Sequence, residues 1–249
     1  MSISAISLAL YTLLLAGSDA PPVEDVVDRF DRLYRSETSS ARMEMEIVTE
    51  HWQRTLSMDV WTRGLEKTLI RITEPARERG TATLRVGDDM WNSLPGTNSV
   101  MRIPPSMMMG SWMGSHFTND DLVRETSYRR DYDFAYTGWE DSEEGLLYVE
   151  MSPHEEAPVV WGRLVMAVRS SDLLPVWIRY FDEDGIEQRI MRFSDYRELG
   201  GRTLPAEMVI EPFDEEGSTS VRYLEARFDL ELEDDLFTLR SLRSGGGFR

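Results

Sequence analysis

The feature that most constrains this chain is a two-residue alternation of apolar and polar side chains that keeps returning along its length. Ala41, Met43, Met45 and Ile47 alternate with Arg42, Glu44 and Glu46, and Leu56, Met58 and Val60 alternate with Ser57 and Asp59. Successive side chains of a strand point to opposite faces, so the pattern predicts half-buried strands with one wall on an apolar interior and the other in water. Alternating or β-rich runs recur at residues 68–73, 82–86, 146–151, 163–168, 176–181, 186–193, 206–211 and 221–230. Between two of them, Asp182-Glu183-Asp184-Gly185 reads as a hairpin turn in which Gly185 takes positive φ, and Gly200-Gly201 and Glu216-Gly217 mark the next two reversals. The expected fold is mainly β, a single large antiparallel meander with no internal repeat or boundary.

Two helical features frame the strands. Val23, Val26, Val27, Phe30, Leu33 and Tyr34 fall on one helical face, with Pro21-Pro22 at the start, acids in the first turn, and Arg32 and Arg35 near the end. That polarity suits one amphipathic helix opening the domain. Ahead of it, an uncharged apolar run from Ile3 to Ala16 closes on small residues up to Ala20. It is too short to span a bilayer comfortably and has the pattern of a secretory signal over residues 1–20. A domain over 21–242 and a flexible tail over 243–249, rich in Ser and Gly, complete the expected organisation.

Charge and composition exclude several classes of function. With 45 acidic against 27 basic residues the net charge is −18, so a phosphate backbone is repelled and nucleic-acid binding is not expected. Cysteine is absent, which removes disulfides, thiolate chemistry, cysteine-bound metal and the residue that would carry a lipid anchor. An exported chain of this kind is expected free in the periplasm, as a monomer. The three histidines, His51, His116 and His154, are far apart in sequence and form no metal motif. No nucleotide-binding fingerprint or nucleophile elbow occurs, so neither a metal nor a cofactor is expected. Acid pairs such as Asp120-Asp121, Glu143-Glu144, Glu155-Glu156 and Asp234-Asp235 could serve glycoside hydrolysis only if two converged in one cleft. They read as solvated turn and cap residues.

The strand pattern fails in the middle, from Trp91 to Val123. Residues 101–117 hold five of the fourteen methionines, flanked by Pro104-Pro105, Gly110 and Gly114. Thr118 and Asp121 have capping-box spacing, with Asp where Glu or Gln is usual. This stretch is expected to form a mobile loop and one or two short helices over the sheet. Methionine is flexible and polarizable, so such a cluster can repack around partners of differing shape; the residues alone leave open whether it does so or plugs a fixed core.

The order Trp91, Leu94-Pro95, Arg102-Ile103, Met109-Gly110-Ser111, Met113-Gly114-Ser115, Phe117 and Asp120-Asp121-Leu122 resembles the motif of the LolA-like family of outer-membrane lipoprotein-sorting proteins. That motif contains Met-Gly-Ser-x-Phe-x-x-x-Asp-Leu. The resemblance implies a half-open antiparallel β-barrel whose concave apolar face is covered by short helices and receives acyl chains. It implies a carrier or chaperone for a lipoprotein or a lipid, not an enzyme, with an inner-membrane transporter as a possible partner. Ligand-facing candidates are Met43, Met45, Ile47, Met58 and Val60 from the strands, and Trp91, Leu94, Met107, Met108, Met109, Trp112, Met113 and Phe117 from the covering segment. Arg71 and Arg102 are candidates for the arginine that takes part in cargo release in the family. Members discussed beside exporters of the resistance-nodulation-division type leave two further readings open: a lipid or sterol-like cargo, and a cargo-free adaptor of such a transporter.

Overall fold

The computed structural model describes residues 20–94, 99–124, 128–157 and 159–244. The expected signal segment before Ala20, Pro95 of the Leu94-Pro95 pair, and the tail beyond Ser244 lie outside the described residues. After helix α1 (Val23–Asp31) the chain runs through β1 (Thr38–Thr49), β2 (Gln53–Arg63), β3 (Lys67–Glu74), β4 (Ala82–Val86), β5 (Asp89–Ser93) and β6 (Val100–Arg102). A covering segment with two 3-10 turns, Pro105–Met107 and Trp112–Gly114, and two short helices, α2 (Asn119–Arg124) and α3 (Tyr128–Asp131), follows. The chain then returns through β7 (Tyr132–Tyr136), β8 (Leu146–Pro153), β9 (Arg163–Arg169), β10 (Pro175–Phe181), β11 (Glu187–Leu199), β12 (Arg202–Pro212) and β13 (Gly217–Phe228), and ends in a 3-10 turn, Asp234–Phe237, and α4 (Leu239–Ser244).

All thirteen strands form one open sheet in the order β6-β5-β4-β3-β2-β1-β13-β12-β11-β10-β9-β8-β7, with every neighbouring pair antiparallel. Two meanders, β1 to β6 and β7 to β13, are therefore welded at the middle by β1 and β13, paired from Ser39 with Phe228 to Thr49 with Gly217 with a register shift of one residue between Arg42 and Met43. The edges of the sheet, β6 and β7, are consecutive in sequence, so the segment joining them must cross from one edge to the other. It does so over the concave face, where Ile103, Trp112, Phe117 and Tyr128 enter the main core with the strand residues. This is the half-open barrel with helices over its apolar face that the alternation and the resemblance imply.

Alternation places the sides of the sheet. Met43, Met45 and Ile47 are buried on the concave side, while Arg42 and Glu44 sit on the other face, where Arg42 pairs with Asp59 and Glu225. On the convex side Phe237 and Leu242 of the C-terminal strap cover Trp61, Leu69 and Leu84. The Asp182–Gly185 turn joins β10 to β11, with Gly185 at φ 76°. Helix α1 is shorter than its apolar stripe: it stops at Asp31, and Leu33 and Tyr34 pack from the turn that follows. Val26 and Val27 join the concave core, and Phe30 meets Phe193 and Tyr128 at 6.0 and 5.5 Å. At its end Asp31 is buried, with an oxygen accepting from the Arg129 amide at 3.3 Å where α3 begins. Loss of solvation on burial, only partly offset by the Arg129 and Tyr128 amides, pushes this carboxyl up to about 7.

Candidate functional site

Between sheet and covering segment lies a cavity of about 110 Å³. Its floor is Ala41, Met43 and Met45 of β1 with Met58 and Val60 of β2, and its far wall is Met191, Met208 and Val221 of β11, β12 and β13. Trp112, Phe117 and Leu122 close it from above. An apolar cavity of roughly 150 Å³ accommodates a molecule the size of benzene. The cavity is smaller than that, so an acyl chain fits only if the walls or the covering segment give way.

Besides the apolar packing of Ile103, Trp112 and Phe117 in the main core, polar contacts from four strands hold this lid down. Arg189 of β11 is buried and grips Asp121 of α2 with both nitrogens of its fork, Nη1 to Oδ2 at 2.8 Å and Nη2 to Oδ1. Its Nη1 also donates to the His116 carbonyl at 3.3 Å, and its guanidinium stacks over Tyr180 and Trp161, 4.2 and 4.4 Å from the ring centres. Burial alone would pull the Arg189 affinity for its proton down; the adjacent Asp121 carboxylate more than reverses this and leaves it above the ordinary arginine range. Thr219 of β13 accepts from the His116 amide at 3.1 Å and contacts its Nδ1 at 2.8 Å. Arg54 of β2 donates to the Met113 carbonyl, and Trp112 Nε1 donates to Thr83 of β4 at 3.1 Å. The capping box read from the sequence is present: Asp121 N donates to Thr118 Oγ1 at 3.1 Å and Thr118 N to Asp121 Oδ2 at 2.7 Å. Asp121 therefore caps α2 and neutralises Arg189 with one carboxylate.

Of the residues singled out by sequence, six line the cavity together: Met43, Met45, Met58, Val60, Trp112 and Phe117. Ile47 is fully buried in the same core without lining the opening, and Met108 and Met113 pack half-buried against it. The other four do not face inward. Trp91 lies one residue out of register with the interior: its neighbour Met90 is fully buried in the concave core, and Trp91 packs on the convex cluster under the C-terminal strap. Leu94, Met107 and Met109 are about half exposed, because the turns that carry them have no period to set a side. The arginine candidates are also displaced. Arg71 donates to the Ser241 carbonyl of α4 on the convex side, and Arg102 pairs with Asp89 at the surface. Arg189, which follows Glu187 and Gln188 in the sequence, ties the far wall to the lid through Asp121.

A family model described as an uncharacterized protein matches residues 64–244. The chain belongs to that family. Its fold is the LolA-like one. A DUF1329 family protein from Desulfovibrio piger is 25% identical, with a TM-score of 0.78 over 88% of this chain and 96% of that one. A domain from Vibrio parahaemolyticus described as outer membrane lipoprotein-sorting is 21% identical, with a TM-score of 0.74 over 87% and 97%. A LolA superfamily protein from Nitrosomonas europaea is 19% identical, with a TM-score of 0.74 over 89% and 100%. No curated protein matches the sequence.

On the LolA-like fold the motif acquires a physical reading. Taken from Met113, its Met-Gly-Ser-x-Phe-x-x-x-Asp-Leu order ends on Asp121-Leu122, the acid of the latch and a roof residue. Gly114, at φ 73°, turns the lid against Trp52 and Arg54 in a conformation that side chains resist. Ser115 accepts the Phe117 amide at 3.2 Å and donates to the Trp112 carbonyl at 2.7 Å, folding the turn so that Trp112 and Phe117 both point down. Among the described residues no group of three or more His, Asp or Glu is placed to hold a metal ion, and no helix is long and apolar enough to cross a membrane.

Proposed function

We propose that this protein is a periplasmic carrier that shelters the acyl chain of a lipid or lipoprotein beneath a hinged lid, and that it acts by binding, not by catalysis. The observation that carries the reading is the pairing of an apolar, methionine-walled cavity with a lid held down by polar pins at its rim. A lid held by apolar packing alone would lose that packing on opening; polar groups exchange their partners for water or cargo at modest net cost. The methionines let the walls refit around a chain. Each methylene taken from water contributes about 0.8 kcal/mol, so ten supply roughly 8 kcal/mol, near a micromolar dissociation constant before ordering costs. That is an affinity from which cargo can be handed on.

Export rests on the apolar run before Ala20, and the likeness to a LolA superfamily protein and to a domain described as lipoprotein-sorting supports a carrier. Transfer to or from an inner-membrane transporter belongs to the same proposal. Titration of the purified protein with a fluorescent fatty acid tests it. Saturable uptake, abolished by Met58→Glu in a protein that still folds, is the expected result. Absence of uptake by the folded wild type overturns it and leaves the cargo-free adaptor.

A further inference from the structure

One stretch of this acidic chain carries no acid at all. From Met90 to Asn119 there is no Asp or Glu, where 45 acids in 249 residues would place about five. Its single Lys or Arg is Arg102, which pairs with Asp89. The same stretch holds four of the ten large apolar side chains exposed among the described residues: Leu94, Met101, Met107 and Met109, each about half exposed. Scattered apolar residues on a surface need no explanation, but a group of them in one uncharged segment marks a surface that meets something.

The four belong to one border of the half-barrel. β6 is a free edge of the sheet, and the lid springs from it. Met101 of β6 lies opposite Asn92 of β5, which bonds Thr83 of the cavity wall, so the concave face continues through Asn92 to Met101. Leu94 follows four residues after the inward Met90, on that same side as β5 ends. The methionines of the lid are presented by a turn that the backbone fixes. Met107 N donates to the Pro104 carbonyl at 2.9 Å, and the Met107 carbonyl accepts from Gly110 N and from Asn119 Nδ2, both at 3.0 Å. The Met108 carbonyl accepts from Asp120 N at 2.9 Å. Met108 is thereby turned against the core, and Met107 and Met109 on either side of it are turned outward.

Charge selects the occupant. The exposed apolar tips Trp52, Ile186 and Phe213 sit on hairpins with Glu50, with Asp182 to Asp184 and with Asp214 to Glu216, acids that a phosphate-bearing surface repels. The β6 border has none. A basic protein would find no carboxylate there to pair with, and four half-exposed side chains cannot supply the roughly 1,200 Å² that a stable protein interface buries. An uncharged, flexible apolar patch on a body of net charge −18 fits the interfacial layer of a bilayer, into which apolar side chains dip while the acidic remainder stays in water.

We propose that this border is a membrane-docking surface: Leu94, Met101, Met107 and Met109 enter the interface of a phospholipid bilayer, and the free edge from which the lid springs lies against it. None of the four lines the cavity, so docking and cargo binding are separable.

Flotation of the full chain with vesicles of phosphatidylethanolamine and phosphatidylcholine, beside uptake of a fluorescent fatty acid in solution, tests this. The wild type is expected to float with these vesicles, and to float less at low salt when phosphatidylglycerol is added, because the net charge then opposes docking. Met107→Gln with Met109→Gln removes apolar contact without adding charge, and should lower the bound fraction at least about tenfold with uptake unchanged. Leu94→Gln with Met101→Gln should act in the same direction and decides the matter if the first pair fails to fold. Failure of the wild type to float, or flotation untouched by both pairs, overturns the proposal. So does a loss of flotation in Trp52→Gln with Phe213→Gln alone, which would assign docking to the hairpin tips. A dimer seen by sedimentation and dissolved by either border pair, without flotation, overturns it in favour of a second copy. Loss of uptake in step with flotation returns these side chains to the cargo site and overturns it as well. A wild type that floats without taking up fatty acid keeps the docking surface and sinks only the carrier reading.

Discussion

Replacing Asp121 with Asn removes the charge that balances Arg189 while nearly preserving shape, so the α2 cap can still be made by the amide oxygen. Arg189 and Asp121 side chains are 5% and 12% exposed, and breaking a pair buried to that degree typically costs about 3–5 kcal/mol because the remaining charge is stranded. The Tyr180 and Trp161 faces and the His116 carbonyl stay with Arg189 and soften the loss toward the lower figure. If lid and sheet were one cooperative unit, the whole loss would show in global unfolding. If the lid opens by itself, the cost falls on the closed lid: about 3 kcal/mol raises the open population by about 100-fold, and the sheet, with its own core, loses less. Stopped-flow uptake of a fluorescent fatty acid, beside urea denaturation of the same variant, separates the cases. Uptake faster by at least about tenfold is expected, with a fall in global stability smaller than the pair is worth. Arg189→Met combined with Asp121→Leu should recover most of the stability, since buried pairs exchange for apolar groups at little net cost. Full loss of global stability with an unchanged uptake rate would refute the idea of a separately moving lid.

Other expectations follow from single residues. The Asp31 carboxyl is raised in the folded state from an ordinary 3.8 to about 7, so stability from this group is intact below about pH 4 and falls as pH rises through 7, by at most roughly 4 kcal/mol at about 1.4 kcal/mol per decade of proton affinity. Asp31→Asn should flatten that slope in urea denaturation at pH 4 to 8; an unchanged slope refutes the assignment. Trp112→Ala empties the roof of the cavity and should cost about 3–5 kcal/mol unless the lid collapses into the space, which denaturation with and without probe distinguishes. Gly114→Ala forces a side chain into the left-handed region and should cost about 1–2 kcal/mol, read as a lower thermal midpoint. Thr118→Ala should cost about 1 kcal/mol of lid order, visible as faster amide exchange across α2 with the strands unaffected.

The sequence displayed the sheet wherever one face was apolar and the other wet. Strands β5, β6 and β7, three to five residues long, were not read from the pattern. Missing β5 cost the register at its core residue, and Trp91 was taken as inward in place of Met90. The second half of β11 was missed too: Ser194, Asp195 and Tyr196 run past the core, and the backbone at Asp195 has φ 54°, so both faces read polar. The methionine floor at Met43, Met45 and Met58 was legible because an apolar side chain at alternate positions must go inside. The polar members of the same cavity were not. Arg189, Arg85, Thr62 and Thr68 point inward because each is bonded there, to Asp121, to backbone carbonyls, to Ser39 or to Arg35, and a pattern that defines the interior by apolarity assigns such residues to water. The one local signal was the Thr118 to Asp121 spacing, which located the cap and, with it, the acid of the latch.

The most direct test of the central claim is native mass spectrometry with lipid extraction on the protein purified from its own cells. The carrier account predicts a bound amphiphile in stoichiometric or near-stoichiometric amount, removable by Met58→Glu. A clean apo mass, together with no uptake of a fluorescent fatty acid by either the wild type or the lid-loosened Asp121→Asn variant, would contradict it.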